Sequence, residues 1–195
     1  IILSQNSFEK LSKELAEFQT ISTIKGSELV GLKYKPLFPY FENNKKITAS
    51  ENAFTILHGD FVSTEDGTGI VHIAPGFGED DQILSKANVI PTLCPVDEAG
   101  KFTHEIFDIP YEYKDKDGNV LKDTLALQNR NVLGFDEKLQ YDKENNPNKD
   151  IIKYLKATGA WLKTEQYLHN YPHCWRTDTP LIYRAVSSWY VEVTK

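Results

Sequence analysis

Between Ile21 and Val62 the apolar residues come in short runs, Leu29–Leu32, Leu37–Phe41 and Ala53–Leu57, interrupted by Gly, Pro and Asn. Runs this short and this punctuated cannot supply the stripe of a long helix, and they read as strands joined by turns. The pattern continues downstream. Gly69–Ile73 follows the turn Glu65-Asp66-Gly67, Leu93–Val96 leads into the turn Asp97–Gly100, and Lys116–Asn119 has the composition of a hairpin turn. The stretch 181–193 alternates weakly and carries Tyr183, Trp189 and Tyr190, so it also reads as strand. Helical periodicity is confined to three places. Phe8, Leu11, Leu15 and Phe18 predict a helix over 7–18, opened by Asn6 with Glu9 three residues on. A second is expected from Glu79 to Ala87. A third begins at Asp150, after the polar loop 142–150, and closes at Gly159. The expected fold is mainly β with flanking helices, α+β in detail, with the strands gathered into a barrel.

Composition narrows the functional classes. The 195 residues hold 22 Lys and Arg against 28 Asp and Glu, a net charge of −6, with 40% hydrophobic residues. That is the balance of a folded globular chain and excludes disorder. No apolar run approaches the roughly 20 residues of a membrane span, so no membrane is expected as a partner. The N-terminus lacks a secretory signal, and Cys94 and Cys174 are too few for a disulfide framework, which predicts a cytoplasmic location. Methionine is absent, so the sequence reads as a piece of a longer protein. Residues 155–195 carry a local +2 and the first 154 a net −8, so any nucleic-acid affinity must be local rather than global.

The densest chemistry lies in Asp66–Asp81, DGTGIVHIAPGFGEDD. Gly67 and Gly69 allow close backbone approach on either side of Thr68. A strand then delivers His72, and Gly76-Phe77-Gly78 opens a helix whose first turn holds Glu79, Asp80 and Asp81. Acids at a helix start are favoured by its dipole, which is the bland account of all three. Three adjacent carboxylates also repel one another, and a site that grips a cation such as an α-ammonium would explain their placement. His72 alternates with Ile70 and Ala74 on one face of its strand, opposite Val71 and Ile73. Taken alone, a single histidine in an apolar strand is more often a half-buried, hydrogen-bonded residue than a catalyst.

Other chemistries fail on the residues. No Gly-Lys-Ser/Thr follows the glycines, and acids at the helix mouth would repel phosphate. Neither Gly67/Gly69 nor Gly76/Gly78 completes a dinucleotide fingerprint. Cys94 sits before Pro95 in an apolar run and reads as core rather than nucleophile. His169, His173 and Cys174 suggest metal ligands, but Thr177 stands where a second knuckle cysteine belongs, so no metal is expected.

Four segments together resemble the editing domain inserted in isoleucyl-tRNA synthetases, class I aminoacyl-tRNA synthetases. They are Lys25–Leu32 with Pro36-Leu37-Phe38, Gly67–Asp81, Cys94–Thr103, and Tyr171–Val191. The related valyl and leucyl editing domains share the Gly-Thr-Gly…Pro…Asp layout, but the position of His72 resembles lysine or methionine there, so His72 favours the isoleucyl member.

The resemblance implies a β-barrel-centred editing domain over residues 1–165, with 166–195 as a connector returning toward a synthetic domain. Its implied activity is hydrolysis of valine mis-esterified to isoleucine tRNA. A pocket selecting isoleucine gains only about 1–3 kcal/mol from one methylene, so a second pocket that admits valine must supply the rest. The implied partners are the 3′ acceptor end of that tRNA, valine, and the rest of the synthetase. The implied catalytic residues are Asp81, holding the α-ammonium, and His72, beside the ester and excluding the larger side chain. Gly67, Thr68 and Gly69 would wall the terminal adenosine, with Ile70, Gly76, Phe77, Gly78 and Asp80 completing the substrate site. Editing of this kind needs no cofactor; ATP and magnesium belong to the synthetic domain. The family's threonine-rich strand and its His-Ile-Gly-His and Lys-Met-Ser-Lys-Ser signatures have no counterpart in the sequence. The alternatives are a fragment that binds the acceptor end or the amino acid without cleaving, and a valyl or leucyl relative.

Overall fold

The turn read at Lys116–Asn119 closes a hairpin. The computed structural model describes residues 1–65, 67–136, 138, 140–166, 170–189, 191 and 193. In it, strand β1 (Ile109–Lys114) runs antiparallel to β2 (Val120–Leu125), registered from Ile109 opposite Leu125 to Lys114 opposite Val120. The turn is held by one carboxylate. Asp115 accepts hydrogen bonds from the backbone N–H of Asp117 (2.9 Å) and Asn119 (2.8 Å) and from the Asn119 side chain (3.0 Å). Burial along β1 has period two: Ile109, Tyr111 and Tyr113 face inward while Pro110, Glu112 and Lys114 are exposed.

That inner face packs on helix α4 (Pro147–Ala157). Ile106, Ile109, Leu125, Leu127 and Tyr154 form the core cluster, and Phe38, Tyr40 and Phe102 pack against it. Tyr111 meets Tyr154 edge-on at 5.3 Å, and Phe38 stacks on Tyr154 at 5.5 Å. Three polar contacts brace the pair from outside. Tyr111 Oη donates to Asp123 (3.0 Å), Lys153 Nζ bonds the same carboxylate (2.5 Å), and Arg130 pairs with Asp150 (2.6 Å).

Helix α4 begins earlier than the sequence predicts. Asn146, not Asp150, is the N-cap: its side chain accepts from the N–H of Asn148 (2.9 Å), and Pro147 takes the first-turn position that needs no donor. Asp150 is thereby freed to pair with Arg130. The first helix is displaced in the same way. Helix α1 spans Gln5–Lys10 with Ser4 as its cap, and the chain continues in irregular turns to Glu17. Of the predicted stripe only Leu15 is fully buried, while Phe8 and Phe18 are exposed. Short α2 spans Lys45–Thr48, and α3 spans Glu79–Ala87, matching the residues expected of it.

The expected barrel is not formed: among the described residues the sheet is an open, two-stranded ribbon. The strand-like runs fail for separate reasons. At Leu37–Phe41, Pro39 has no ladder donor and starts a 3₁₀ turn over Pro39–Phe41. The runs near Leu32 and Ile56 pair through only three bonds, Gly31 N–H to Ile56 O, Ile56 N–H to Leu32 O and Tyr34 N–H to Phe54 O. Phe54 there adopts φ +53°, which ends the extended geometry. Pro95–Thr103 folds back on itself around the predicted Asp97–Gly100 turn, with Thr103 N–H on Pro95 O (3.0 Å) and Asp97 N–H on Lys101 O (2.9 Å). Residues 70–73 and 181–189 belong to no helix and join no sheet. Among the described residues no helix is long and apolar enough to cross a membrane.

Candidate functional site

The glycine loop is seated on the start of α1. Ser7 Oγ donates to Gly67 O (2.6 Å), Ser4 N–H donates to Thr68 O (2.7 Å), and Asn6 Nδ2 reaches Thr64 O (3.3 Å). Lys10 Nζ donates to Glu65 O. Gly67 and Gly69 adopt φ +65° and +74° on either side of Thr68, the left-handed region that side chains resist. A Cβ at Gly69 would also lie 2.7 Å from Ser4 Cβ. Thr68 Oγ1 turns back to donate to Ile70 O (2.9 Å). Asp66, the first residue of the motif, lies outside the described residues.

The second half of the motif is held by other partners. Ala74 O accepts from Phe77 N–H (2.8 Å), closing the turn that carries Gly76, which is buried. A Cβ there would meet Leu93 O at 2.2 Å, so only glycine lets this turn lie against Leu93–Cys94. Gly76 O accepts from Ala185 N–H (2.7 Å), which joins the C-terminal segment to the turn. Gly78 caps α3, and Asp81, in its first turn, is half-buried and folds back so that Oδ2 accepts from Ala74 N–H (3.1 Å). Glu79 and Asp80 point outward and are exposed. Asp81 is therefore the one acid of the three bonded into the turn, a placement the run of carboxylates did not reveal.

His72 is exposed, as are Ile70 (45%) and Val71 (48%), so the two-faced alternation expected of this run is not seen. Among the described residues no hydrogen bond joins the imidazole to Asp81 or to the glycine loop. The 67–69 loop and the 74–81 turn are thus built on separate supports, with 70–73 running between them. A cavity of about 330 Å³ lies elsewhere, where the Asp97–Gly100 turn faces Ile182 and Arg184, and none of the expected site residues lines it.

In the His169–Asp178 cluster, His169 lies outside the described residues. Thr177 sits close enough to Cys174 that its side chain and the N–H groups of Arg176 and Thr177 hold the thiol below its ordinary pKa. Among the described residues no group of three or more His, Cys, Asp and Glu is arranged to hold a metal ion.

The sequence was compared with known proteins. No protein-family model matches the chain. The isoleucine–tRNA ligase of Rickettsia bellii (strain OSU 85-389) is 50% identical over 196 aligned residues, covering all of this chain and 14% of the ligase. That of Rickettsia canadensis (strain McKiel) is 51% identical over 195, covering 99% of this chain and 15% of the ligase. That of Rickettsia prowazekii (strain Madrid E) is 49% identical over 196, covering all of this chain and 15% of the ligase. This chain is homologous to one segment of isoleucine–tRNA ligase. It spans about one seventh of the length of these relatives.

The aligned region with the isoleucine–tRNA ligase of Rickettsia bellii covers the whole chain, both halves of the motif included. The supporting residues are what the sequence reading missed. Ser4 and Ser7 carried one available signal, a Ser-x-x-Ser spacing across a helix start, which is cap chemistry. Leu93 and Ala185 carried none, because they act through backbone atoms.

Proposed function

We propose that this chain is the editing segment of an isoleucine–tRNA ligase and hydrolyses valine mis-esterified to isoleucine tRNA. The observation that carries the reading is the state of Asp81. It is half-buried at the mouth of α3, with one carboxylate oxygen aligned by Ala74 N–H. A carboxylate fixed in this way suits an α-ammonium, because the fixed anion needs no reordering when the cation arrives. The homology to isoleucine–tRNA ligase supports the choice of amino acid and tRNA.

On this reading the Gly67–Gly69 backbone receives the terminal adenosine, and Asp81 holds the amine. Water then attacks the ester carbonyl carbon. The bond to the ribose oxygen breaks, and free valine and uncharged tRNA leave. No covalent intermediate is formed; the chain's contribution is to hold ester and water in reacting geometry. His72 stands by the amino-acid side chain and limits its size. The partners are the tRNA acceptor end, valine and the remainder of the ligase, and no cofactor takes part.

Valine release from Val-tRNA(Ile) by the full-length ligase carrying this segment, with Asp81→Ala beside the parent, tests the proposal. Loss of release with isoleucine activation intact is expected. Release at the parental rate from Asp81→Ala would overturn the role of the carboxylate. Binding of Val-tRNA(Ile) without release by the parent would mark a non-catalytic docking segment.

A further inference from the structure

Helix α1 and its cap have no place in the chemistry above, yet they grip the chain around the glycine loop at four backbone carbonyls. Those of Thr64, Glu65, Gly67 and Thr68 each accept one bond, from Asn6, Lys10, Ser7 and Ser4 respectively. The bonds to Thr64 and Glu65 come from exposed side chains that water can replace. The bond to Gly67 does not. Ser7 is only 2% exposed, and among the described residues it shares full burial of a polar side chain only with Ser85, on α3. Its hydroxyl lies 2.8 Å from Ser4 Oγ and 2.6 Å from Gly67 O, while its own N–H donates to Ser4 Oγ (3.2 Å). The two hydroxyls thus form a relay. Gly67 O can only accept, so Ser7 directs its hydrogen onto the loop and its oxygen accepts from Ser4 Oγ, while Ser4 Oγ in turn caps the helix by accepting Ser7 N–H.

The loop needs such an anchor. Two left-handed glycines flank Thr68, and glycine backbone is the least constrained by its own side chain. Thr68 Oγ1 bonds only within the loop and cannot place it on the rest of the fold.

We propose that Ser7 is a positioning residue for this site: it touches no substrate, and its buried hydroxyl sets where the Gly67–Thr68–Gly69 backbone presents itself to the terminal nucleotide. The inference rests on the editing reading for its kinetic consequence but not for its structural one. A wall that contacts the nucleotide equally in ground and transition state contributes uniform binding, so its displacement raises KM and leaves kcat alone.

The test uses the full-length ligase carrying this segment, with Ser7→Ala and the hydroxyl-retaining Ser7→Thr. For Ser7→Ala, KM for Val-tRNA(Ile) deacylation rises about fivefold with kcat within about twofold, as expected for one lost hydrogen bond. Isoleucine activation is unchanged, which shows that the ligase is folded. Amide exchange in the peptide covering 67–70 speeds up about fivefold, and Ser7→Thr restores both values. A fall in kcat at constant KM, or exchange at 67–70 unchanged in Ser7→Ala, overturns the proposal. If the parent ligase releases no valine, the editing reading has failed, and the exchange measurement alone still judges the anchor.

Discussion

Replacing Gly76 by alanine probes the tightest backbone approach in the motif. The added Cβ would lie 2.2 Å from Leu93 O, 3.1 Å from Leu93 C and 3.2 Å from Cys94 Cα. All three neighbours are backbone, so no side-chain rotation relieves the contact. An ordinary contact requires a shift of roughly 1 Å, and overpacking of this kind costs about 1–3 kcal/mol. Moving the turn also stretches the bond from Ala185 N–H to Gly76 O, now 2.7 Å, which adds about 1 kcal/mol. The turn lies between Ala74, which orients Asp81, and Gly78, which caps α3, so the shift is passed to the carboxylate. A misplacement of this size costs roughly 100-fold in rate. The assay is valine release from Val-tRNA(Ile) by the full-length ligase, with isoleucine-dependent ATP–pyrophosphate exchange as the control. Release should fall about 100-fold and exchange should not change. Gly26→Ala, which meets nothing within 4 Å, should leave both unchanged. Parental valine release by Gly76→Ala would refute the claim that this contact positions Asp81.

The remaining predictions address the hairpin, its charges and the C-terminal turn. Leu125 is 1% exposed at the centre of the core, so Leu125→Ala should destabilise by about 2–5 kcal/mol in urea unfolding, whereas Val120→Ala, at a position 59% exposed, should stay within about 0.5 kcal/mol. Lys153, the N–H of Thr124 and the Tyr111 hydroxyl hold the Asp123 carboxyl below its ordinary value. Its stabilisation is therefore present above the ordinary carboxylate range, near pH 4, and is lost as pH falls through the lowered value. Amide exchange in β2 should accelerate on acidification below about pH 4, and Asp123→Asn should flatten that dependence. Burial, then the bond to Asp123, pushes Tyr111 up to about 12, so its contribution is complete below pH 10 and fades as pH rises toward 12; phenolate absorbance of Tyr111→Phe against the parent reads this directly. Cys174 should alkylate with a midpoint below the usual pH 8.5 or so, and Thr177→Val should raise that midpoint.

What could be read in advance follows a physical divide. Local signals were legible. The α3 boundaries, the Asp97–Gly100 and Lys116–Asn119 turns and the helix end at Gly159 depend on residues within a few positions of each other, and each lies where expected. The starts of α1 and α4 differ from expectation because neighbouring cap residues compete. Ser4 and Asn146 win because their side chains reach the second or third N–H, leaving Asn6 and Asp150 for tertiary bonds. The barrel was misjudged because short apolar runs report strand propensity without pairing. Ile109–Lys114 and Val120–Leu125 form the ladder, while Leu37–Phe41 spends its apolar residues on the core through a 3₁₀ turn. At the candidate site, the glycine turns and the helix mouth were legible from local sequence, and the residues that hold them were not. Ser7, Leu93 and Ala185 act at distances of 60, 17 and 109 positions from the residues they hold, and no local pattern encodes that.

The central claim is that Asp81 grips the amine of the esterified amino acid. The most direct test pairs Asp81→Asn, which keeps an oxygen for Ala74 N–H but removes the charge, with an ester whose α-amine is replaced by hydroxyl. A charge-assisted bond of about 2–3 kcal/mol predicts that the parent ligase cleaves the hydroxy ester roughly 30- to 150-fold more slowly than the valine ester. Asp81→Asn should cleave the two within about twofold of each other. The same large preference for the amine in Asp81→Asn as in the parent would contradict the account.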